Sequence, residues 1–532
     1  MLTRRRLMES AAAGMAASSN GTATRAATPK DIEVMAQTID SVVNGFDPGE
    51  SYETTSNEVC GNIYRKLILP DPADASKLIG DLAESWQVTP DGLKFTFQIR
   101  RGVKFASGNE LTAEDAAFSL QRAVKINKTP AFILTQFGWT RDTVDSTIRA
   151  TDSHTLELTL PSPQATTFVL YCLSATVGGV VEKAAALANQ ANNDLGNTWL
   201  RTHSAGSGSY RLVDWKASDH IILEANPNAT VRPLIPRIVM RHVAEPATQL
   251  VLLEKGDADF ARNLTSDQLK RVIGSPDYDV SRIDQLNSLY LGLNGALPQF
   301  QKIEVRQAIK WAIDYDAIAR NITPNAWNVW QTFLPKNSPG SLNEVPFRKD
   351  VQKAKALLAS GGYPDGFDVV LDFYSHAPYA DIAQAIQADL ASVGIRAQLV
   401  AGESKQVTTK MRARQHQMTL MIWFPDYLDP NSNAQAFNSN PDDSDSAKLR
   451  LPAWRCHFFD KELTEAVDRA AKETDAVKRM AMYEQMQRDS MARSPFVFLL
   501  QSSEIVAARK GVSGMQLGLM PDYTTFYGIT KT

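Results

Sequence analysis

Strand and helix signals alternate from about Pro29 to the end of this 532-residue chain, and no Ser/Gly-rich linker separates them. Residues 95–99 and 156–160 alternate apolar and polar side chains, which is the period of a half-buried strand. Residues 305–313 and 382–390 repeat apolar side chains at helical spacing. Mixed strands and helices of this kind predict an α/β architecture with more than one sheet.

Several helix boundaries are readable in the sequence. Thr112 and Asp115 resemble a capping box with Asp in place of Glu or Gln, which predicts a helix start. Gly394 ends the helix predicted over 382–390, and a strand follows over 395–400. Asp475 is predicted to restart a long helical region.

Composition excludes several classes of protein. Lys and Arg number 56 against 59 Asp and Glu, a net charge of −3, so no basic excess is present to neutralise a nucleic acid. No run of apolar residues reaches the length of about 18 that a membrane span needs. Cys60, Cys172 and Cys456 lie far apart in the sequence, and we expect buried free thiols. A single disulfide between two of them is the alternative.

The sequence contains none of the catalytic motifs tested. A P-loop, a nucleophile elbow and the H-E-x-x-H zinc motif are all missing, and the seven histidines are scattered singly. Residues 206–208 are Gly-Ser-Gly, but the rest of the nucleotide-binding motif G-x-G-x-x-G is missing. We therefore predict that these glycines form a turn before a strand. We therefore expect a binding protein without a cofactor or metal rather than an enzyme. A hydrolase with carboxylates from distant segments remains the alternative.

Residues 1–27 have the pattern of a targeting segment. Arg4, Arg5 and Arg6 precede an apolar pair and a stretch of small residues, which resembles the twin-arginine export signal of bacteria. Cleavage is expected between Ala23 and Ala27, and would leave a periplasmic protein. A basic N-terminus of a cytosolic protein is the other interpretation.

The segment after Leu82 resembles a known family. Its ordered motifs are similar to those of the peptide- and nickel-type solute-binding proteins of bacterial ABC importers, extracellular solute-binding protein family 5. The likeness extends over about residues 31–527. The motifs are LAESW at 82–86, DGLKFTF at 91–97, RGVKF at 101–105, LTAED at 111–115, GSGSYRL at 206–212, YLGLN at 290–294, VRQAI at 305–309 and WFPDYLDP at 423–430.

The resemblance implies a large two-lobed periplasmic binding protein fold (type II, cluster C). Lobe I would span 28–287, with an inserted subdomain at about 75–200, and lobe II would span 288–499. Residues 500–532 would return to lobe I. The implied role is to capture a small peptide in the cleft between the lobes and deliver it to the permease subunits of an inner-membrane ABC transporter. We expect a monomer.

The resemblance also indicates which residues contact the ligand. Asp426 matches a carboxylate that faces the α-ammonium of a peptide, a charge-assisted contact; the alternative is a turn cap. Asp429 is predicted to take the turn role. Trp423 and Tyr427 in the same motif, and Trp330 elsewhere, are expected to line the ligand pocket or to pack.

A second segment is predicted to contact the ligand backbone. The segment contains Tyr52, Glu53 and Thr54 and follows the Asp-Pro pair at 47–48. In peptide-binding relatives, the backbone of this segment pairs with the ligand backbone as a neighbouring β-strand would. An ordinary surface loop is the alternative. A carboxylate of the ligand would need a cation, and the candidates are Lys336, Arg348 and Arg414; each could instead be a solvated surface charge. Trp327 is expected either to line the pocket or to pack in the protein interior. Nickel chelates, haem, opines and oligosaccharides stay open as ligands, as does a sensory protein that presents ligand to a receptor.

Overall fold

The computed structural model describes residues 28–532, and the predicted export signal at 1–27 lies outside the described residues. The strands are β1 Ile32–Gln37, β2 Ile68–Asp71, β3 Asp74–Gly80, β4 Ala83–Val88, β5 Lys94–Ile99, β6 Ile148–Asp152, β7 Thr155–Thr159, β8 Tyr210–Lys216, β9 His220–Ala225, β10 Arg237–His242, β11 Phe260–Ala261, β12 Tyr278–Asp284, β13 Ser288–Leu293, β14 Trp327–Val329, β15 Asp368–Tyr374, β16 Arg396–Gly402, β17 Met418–Trp423, β18 Phe496–Arg509, β19 Val512–Ser513 and β20 Thr530–Lys531.

Helices separate most of these strands, as expected for an α/β chain. They are α1 Thr54–Ile63, α2 Ala113–Ile126, α3 Phe132–Thr135, α4 Val144–Thr147, α5 Thr166–Ser174, α6 Lys183–Ala188, α7 Asn197–Leu200, α8 Pro246–Lys255, α9 Ser266–Val272, α10 Pro298–Gln301, α11 Ile303–Ala312, α12 Tyr315–Ala317, α13 Val351–Ser360, α14 Tyr379–Ala391, α15 Ser404–Arg412, α16 Asn431–Asn438, α17 Pro452–Arg455, α18 Lys461–Lys472 and α19 Ala476–Arg493.

The predicted helix boundaries are confirmed. Thr112 caps α2, and its backbone N–H donates to the Asp115 carboxylate at 3.0 Å, so Asp completes the capping box. Gly394, at φ +95°, lies in the left-handed region beyond α14, where glycine is favoured. Asp475 accepts a hydrogen bond from the Lys478 backbone at the start of α19. The local pattern was sufficient here because caps depend on neighbours in sequence.

One continuous sheet connects the two lobes through β18. The strand order is β16-β15-β17-β13-β18-β11-β1-β10-β9-β8, with β12 and β14 also paired to β18. The first part of β18 pairs with β13, and its later part pairs with β12 and β11. This 14-residue strand therefore lies in both lobes. A separate four-stranded sheet, β4-β5-β7-β6, forms with α2 the core of the subdomain.

Three large apolar cores correspond to this arrangement. The largest includes Leu291, Ile309 and Leu420 of the second lobe. A second core contains the residues of the four-stranded sheet, and a third surrounds β1, β9 and β10 of the first lobe. The mixed α/β fold with two lobes that the sequence predicts is therefore present.

Burial also explains the state of the cysteines. Cys60, Cys172 and Cys456 are free and almost completely buried. Burial raises the pKa of the Cys60 and Cys456 thiols to about 12. Within residues 28–532, no helix combines the length and apolar character that crossing a membrane requires.

Candidate functional site

The Asp426 carboxylate contacts the opposite lobe. Asp426 lies three residues beyond β17, and its backbone N–H donates to Ser432 Oγ at 2.8 Å, which fixes the loop. The Tyr52 hydroxyl, on the first-lobe segment that precedes α1, donates to the Asp426 carboxylate. Two residues predicted to contact ligand, 374 positions apart in sequence, therefore meet across the cleft.

The electrostatics of this contact are those of a partly desolvated carboxylate. Burial raises the pKa of Asp426 to about 6, although the Tyr52 hydrogen bond and the Arg455 charge lower it. Burial and the Asp426 carboxylate raise the pKa of the Tyr52 hydroxyl well above its usual range. Asp426 forms no ion pair within the described part of the chain. A partly desolvated carboxylate that forms no ion pair is suited to binding a cationic group of a ligand.

Asp429 takes the turn role, and it also forms a buried ion pair. Its carboxylate accepts a hydrogen bond from the Asn431 backbone at 2.9 Å. Arg479 of α19 donates to both Asp429 oxygens at 2.6 and 2.7 Å. The loop that contains Asp426 is thus attached to a long helix.

The predicted aromatic residues differ in exposure. Trp423 is half-buried at the end of β17, and its Nε1–H donates to Asn433 at 3.0 Å. Tyr427 is 1% exposed and packs against Phe168 of the subdomain. Trp330 is 6% exposed, with its Nε1–H donating to the Leu334 carbonyl at 2.6 Å. In this conformation, Trp423 alone of these three keeps appreciable exposed surface.

Two further predicted residues adjoin Tyr52. Glu53 is half-buried at the N-cap of α1, and burial raises the pKa of its carboxyl group. Its Oε2 atom is buried without a hydrogen-bond partner among the described residues. Thr54 begins α1 and is exposed.

The three cations predicted to bind a ligand carboxylate differ in their ion pairs and in their exposure. Arg414 is paired with Asp443 at 2.5 Å and packs on Trp454, so its charge is already neutralised. Lys336 lies 3.7 Å from Asp284, and Arg348 is exposed. Trp327 packs edge to face with Tyr379.

Sequence reasoning missed two other arginines near the Tyr52–Asp426 contact. Arg455 and Arg412 both lower the pKa of Tyr52, and neither forms an ion pair within residues 28–532. Arg455 is half-buried, and its Nε–H donates to the Arg450 carbonyl at 2.8 Å. Their positions in α17 and α15 carry no motif, so only the fold identifies them.

A cavity of about 740 Å³ lies between the lobes at the other end of α1. The β2–β3 hairpin, the C-terminal end of α1 and the segment 516–527 form its first-lobe walls. Residues 337–339 and Leu428 close it from the second lobe. No residue predicted to contact ligand lines this cavity. Within residues 28–532, no group of three or more His, Cys, Asp or Glu has an arrangement suited to a metal ion.

Comparison with protein families identifies one match. The model described as "Bacterial extracellular solute-binding proteins, family 5 Middle" matches residues 77–445. This region includes the subdomain and the loop that contains Asp426.

Curated relatives match along nearly the whole chain. The probable D,D-dipeptide-binding periplasmic protein DdpA of Escherichia coli (strain K12) is 26% identical over 494 residues, 92% of each chain. The glutathione-binding protein GsiB of Pectobacterium atrosepticum is 25% identical and covers 91% of each chain.

Solved structures share the fold. The ABC transporter-associated periplasmic binding protein DppA from Helicobacter pylori, in complex with peptide STSA, matches with a TM-score of 0.78 at 24% identity, covering 94% of this chain and 98% of that one. NikZ from Campylobacter jejuni, in complex with Ni(L-His), matches with a TM-score of 0.79 at 20% identity, covering 95% and 100%.

Proposed function

The chain belongs to the bacterial extracellular solute-binding proteins of family 5, and from this premise we propose that its ligand is a short peptide whose α-ammonium binds Asp426. Members of this family are periplasmic binding proteins of ABC importers rather than enzymes, with a small solute as ligand and the permease as partner. The names of two relatives, a D,D-dipeptide-binding and a glutathione-binding protein, support a peptide.

The observation that carries the proposal is the Asp426 carboxylate in the cleft. It is partly desolvated, it forms no ion pair with a described residue, and its hydrogen-bond partner across the cleft is a neutral hydroxyl. A ligand ammonium would replace the Tyr52 hydroxyl and add an ionised donor opposite the ionised carboxylate, so the contact would gain a charge–charge attraction. Trp423, which is half-buried and three residues before Asp426, would supply apolar contact area.

The same proposal assigns the ligand carboxylate to Arg455, with Arg412 beside it. Both arginines lack a carboxylate partner among the described residues, and Arg455 is half-buried. A guanidinium group in such a position is suited to bidentate contact with a carboxylate. Arg455 lowers the pKa of both Asp426 and Tyr52, which is consistent with one ligand that contacts Asp426 and Arg455.

Binding of defined peptides tests the proposal. We would unfold and refold the mature protein to remove co-purified ligand, and then measure melting temperature with dipeptides to pentapeptides and with their N-acetylated and C-amidated forms. Ligand at a hundred times its dissociation constant adds about 2.7 kcal/mol of stability. We expect free peptides to raise the melting temperature and both capped forms to lose most of the effect.

Matched variants separate the two charged groups. Asp426→Asn should abolish the preference for free over acetylated peptides, and Arg455→Gln the preference for free over amidated ones. Asp257→Asn is the control, because the Asp257 side chain is exposed and forms no hydrogen bond or ion pair with any described residue. A response to haem, opines or nickel–histidine in place of all peptides would exclude the peptide proposal.

Export and lobe boundaries are part of the proposal. We propose export by the twin-arginine route through residues 1–27, a monomeric protein, and lobe boundaries near 287 and 499. Replacement of Arg4 and Arg5 by Lys should block periplasmic accumulation without changing expression. Unchanged accumulation would exclude that route.

A further inference from the structure

We propose that the cavity at the C-terminal end of α1 is a second binding site, for an uncharged, hydroxyl-rich molecule such as a short oligosaccharide. Its volume of about 740 Å³ is within the range of small-molecule sites, about 300–1,000 Å³. Tyr52 precedes α1, and the cavity begins at Gly61, near the end of this ten-residue helix.

Charge excludes anionic ligands from this cavity. Its two cations, Arg65 and Lys66, are neutralised by Asp81 at 2.6 Å and by Asp522 at 2.5 Å. The Lys66–Asp522 pair is nearly fully buried, and Lys66 Nζ also lies 4.7 Å from the centre of the Tyr523 ring. No cation of the lining is therefore free to bind a carboxylate or phosphate.

Two more carboxylates lie on the β2–β3 hairpin. Asp71 accepts a backbone hydrogen bond from Ala73 and forms no ion pair with a described residue. Asp74 pairs at 3.1 Å with Lys77, which is not a lining residue. Carboxylates accept hydrogen bonds from hydroxyl groups and repel anions, so this wall favours hydroxyl donors.

Several neutral polar groups of the lining have unused hydrogen-bonding capacity. Ser207 is 1% exposed, and its Oγ atom has no hydrogen-bond partner among the described residues. Because unpaired buried polar atoms are costly, this hydroxyl is suited to a ligand partner. The side chains of other lining residues also form no hydrogen bond to the described protein; they are Ser209, Asn337, Ser338 and Tyr527.

Aromatic and apolar side chains complete the site. Tyr523 and Tyr527 are half-buried and line the cavity together with Leu517 and Leu519. Aromatic faces beside neutral hydrogen-bonding groups match a sugar, which has apolar ring faces and a rim of hydroxyls. Residues of both lobes line the cavity, so its occupancy would favour the closed form and couple to peptide binding.

A thermal-shift and calorimetry panel tests this site on the refolded mature protein. The probes are cellotriose, maltotriose and tri-N-acetylchitotriose, with trigalacturonate as the anionic and spermidine as the cationic comparison. We expect a neutral trisaccharide to raise the melting temperature, and trigalacturonate to have no effect. Tyr527→Ala would remove part of the cavity wall, and Ser338→Trp would fill the cavity. Each variant should weaken trisaccharide binding at least tenfold.

The controls separate this site from the peptide site. Tyr363→Ala changes a half-buried tyrosine outside the lining and should leave trisaccharide binding unchanged. The proposal is overturned if no neutral trisaccharide binds, if the anion or spermidine binds in its place, or if binding survives both lining variants. Any of these results leaves the peptide proposal intact, because peptide binding is measured separately.

Discussion

Arg479 of α19 donates one hydrogen bond to each oxygen of Asp429, and both side chains are about 1% exposed. Arg479 also donates to Thr167 Oγ1 of the subdomain at 3.1 Å. Nearby, the Ala165 backbone N–H donates to the Ala471 carbonyl at 2.9 Å. The ion pair therefore fixes the loop that contains Asp426 where the second lobe contacts the subdomain.

Removing one partner of this pair should destabilise the protein strongly. Asp429→Asn leaves the Arg479 guanidinium buried without its counter-charge, a change that costs about 3–5 kcal/mol. Urea unfolding measures the loss. Arg488→Gln on the same helix is the control, since its pair with Glu344 is exposed and such pairs contribute about 1 kcal/mol or less. Equal effects of the two variants would contradict this assignment.

Stability should depend on pH through Asp426. Its pKa is raised to about 6 in the folded protein, from an ordinary value near 3.8, so the folded state holds the proton more tightly. The Asp426 contribution to the free energy of unfolding is therefore present at low pH and is lost as pH rises through this window. The difference between wild type and Asp426→Asn, measured by urea unfolding from pH 4 to 7, should show this slope. A flat difference would refute it.

Peptide affinity should show the opposite pH dependence. Binding of an ammonium needs the ionised carboxylate, so affinity should rise between about pH 5 and 7, as Asp426 loses its proton. Isothermal titration calorimetry with a peptide that binds wild type would measure this rise. In Asp426→Asn the rise should disappear, and its persistence would assign the titration to another group.

Lys310 should produce a second pH dependence, at alkaline pH. Burial lowers the pKa of its amine to about 7, and Nζ donates to the Met491 carbonyl at 2.7 Å. Between about pH 7 and 10.5 the unfolded chain binds more protons, so stability should rise with pH by at most about 1.4 kcal/mol per unit. Lys310→Met should remove the slope, whereas Lys355→Met, at an exposed position, should retain it.

The cysteines should be unreactive in the folded protein. All three are buried, and burial raises the pKa of each thiol, so little thiolate is present at neutral pH. Ellman's reagent should label none of them in buffer and all three in guanidinium chloride. Rapid labelling of one thiol in buffer would show that its core opens locally.

Local sequence predicted much of the secondary structure. The capping box of α2, the end of α14 before Gly394 and the restart of the helix at Asp475 are all confirmed. Each depends on the periodicity of apolar residues or on a cap within a few positions. The resemblance to a family, carried by ordered motifs, then supplied the two-lobed fold and the binding role.

The tertiary structure alone decided what surrounds each candidate residue. Tyr52 meets Asp426 from 374 positions away, and Asp429 is neutralised by Arg479 from the last long helix. Arg455 and the cavity beyond α1 have no local pattern that predicts them. The physical reason is that periodicity and capping act between neighbours in the chain, whereas desolvation, charge pairing and cavity shape depend on groups that the fold brings together.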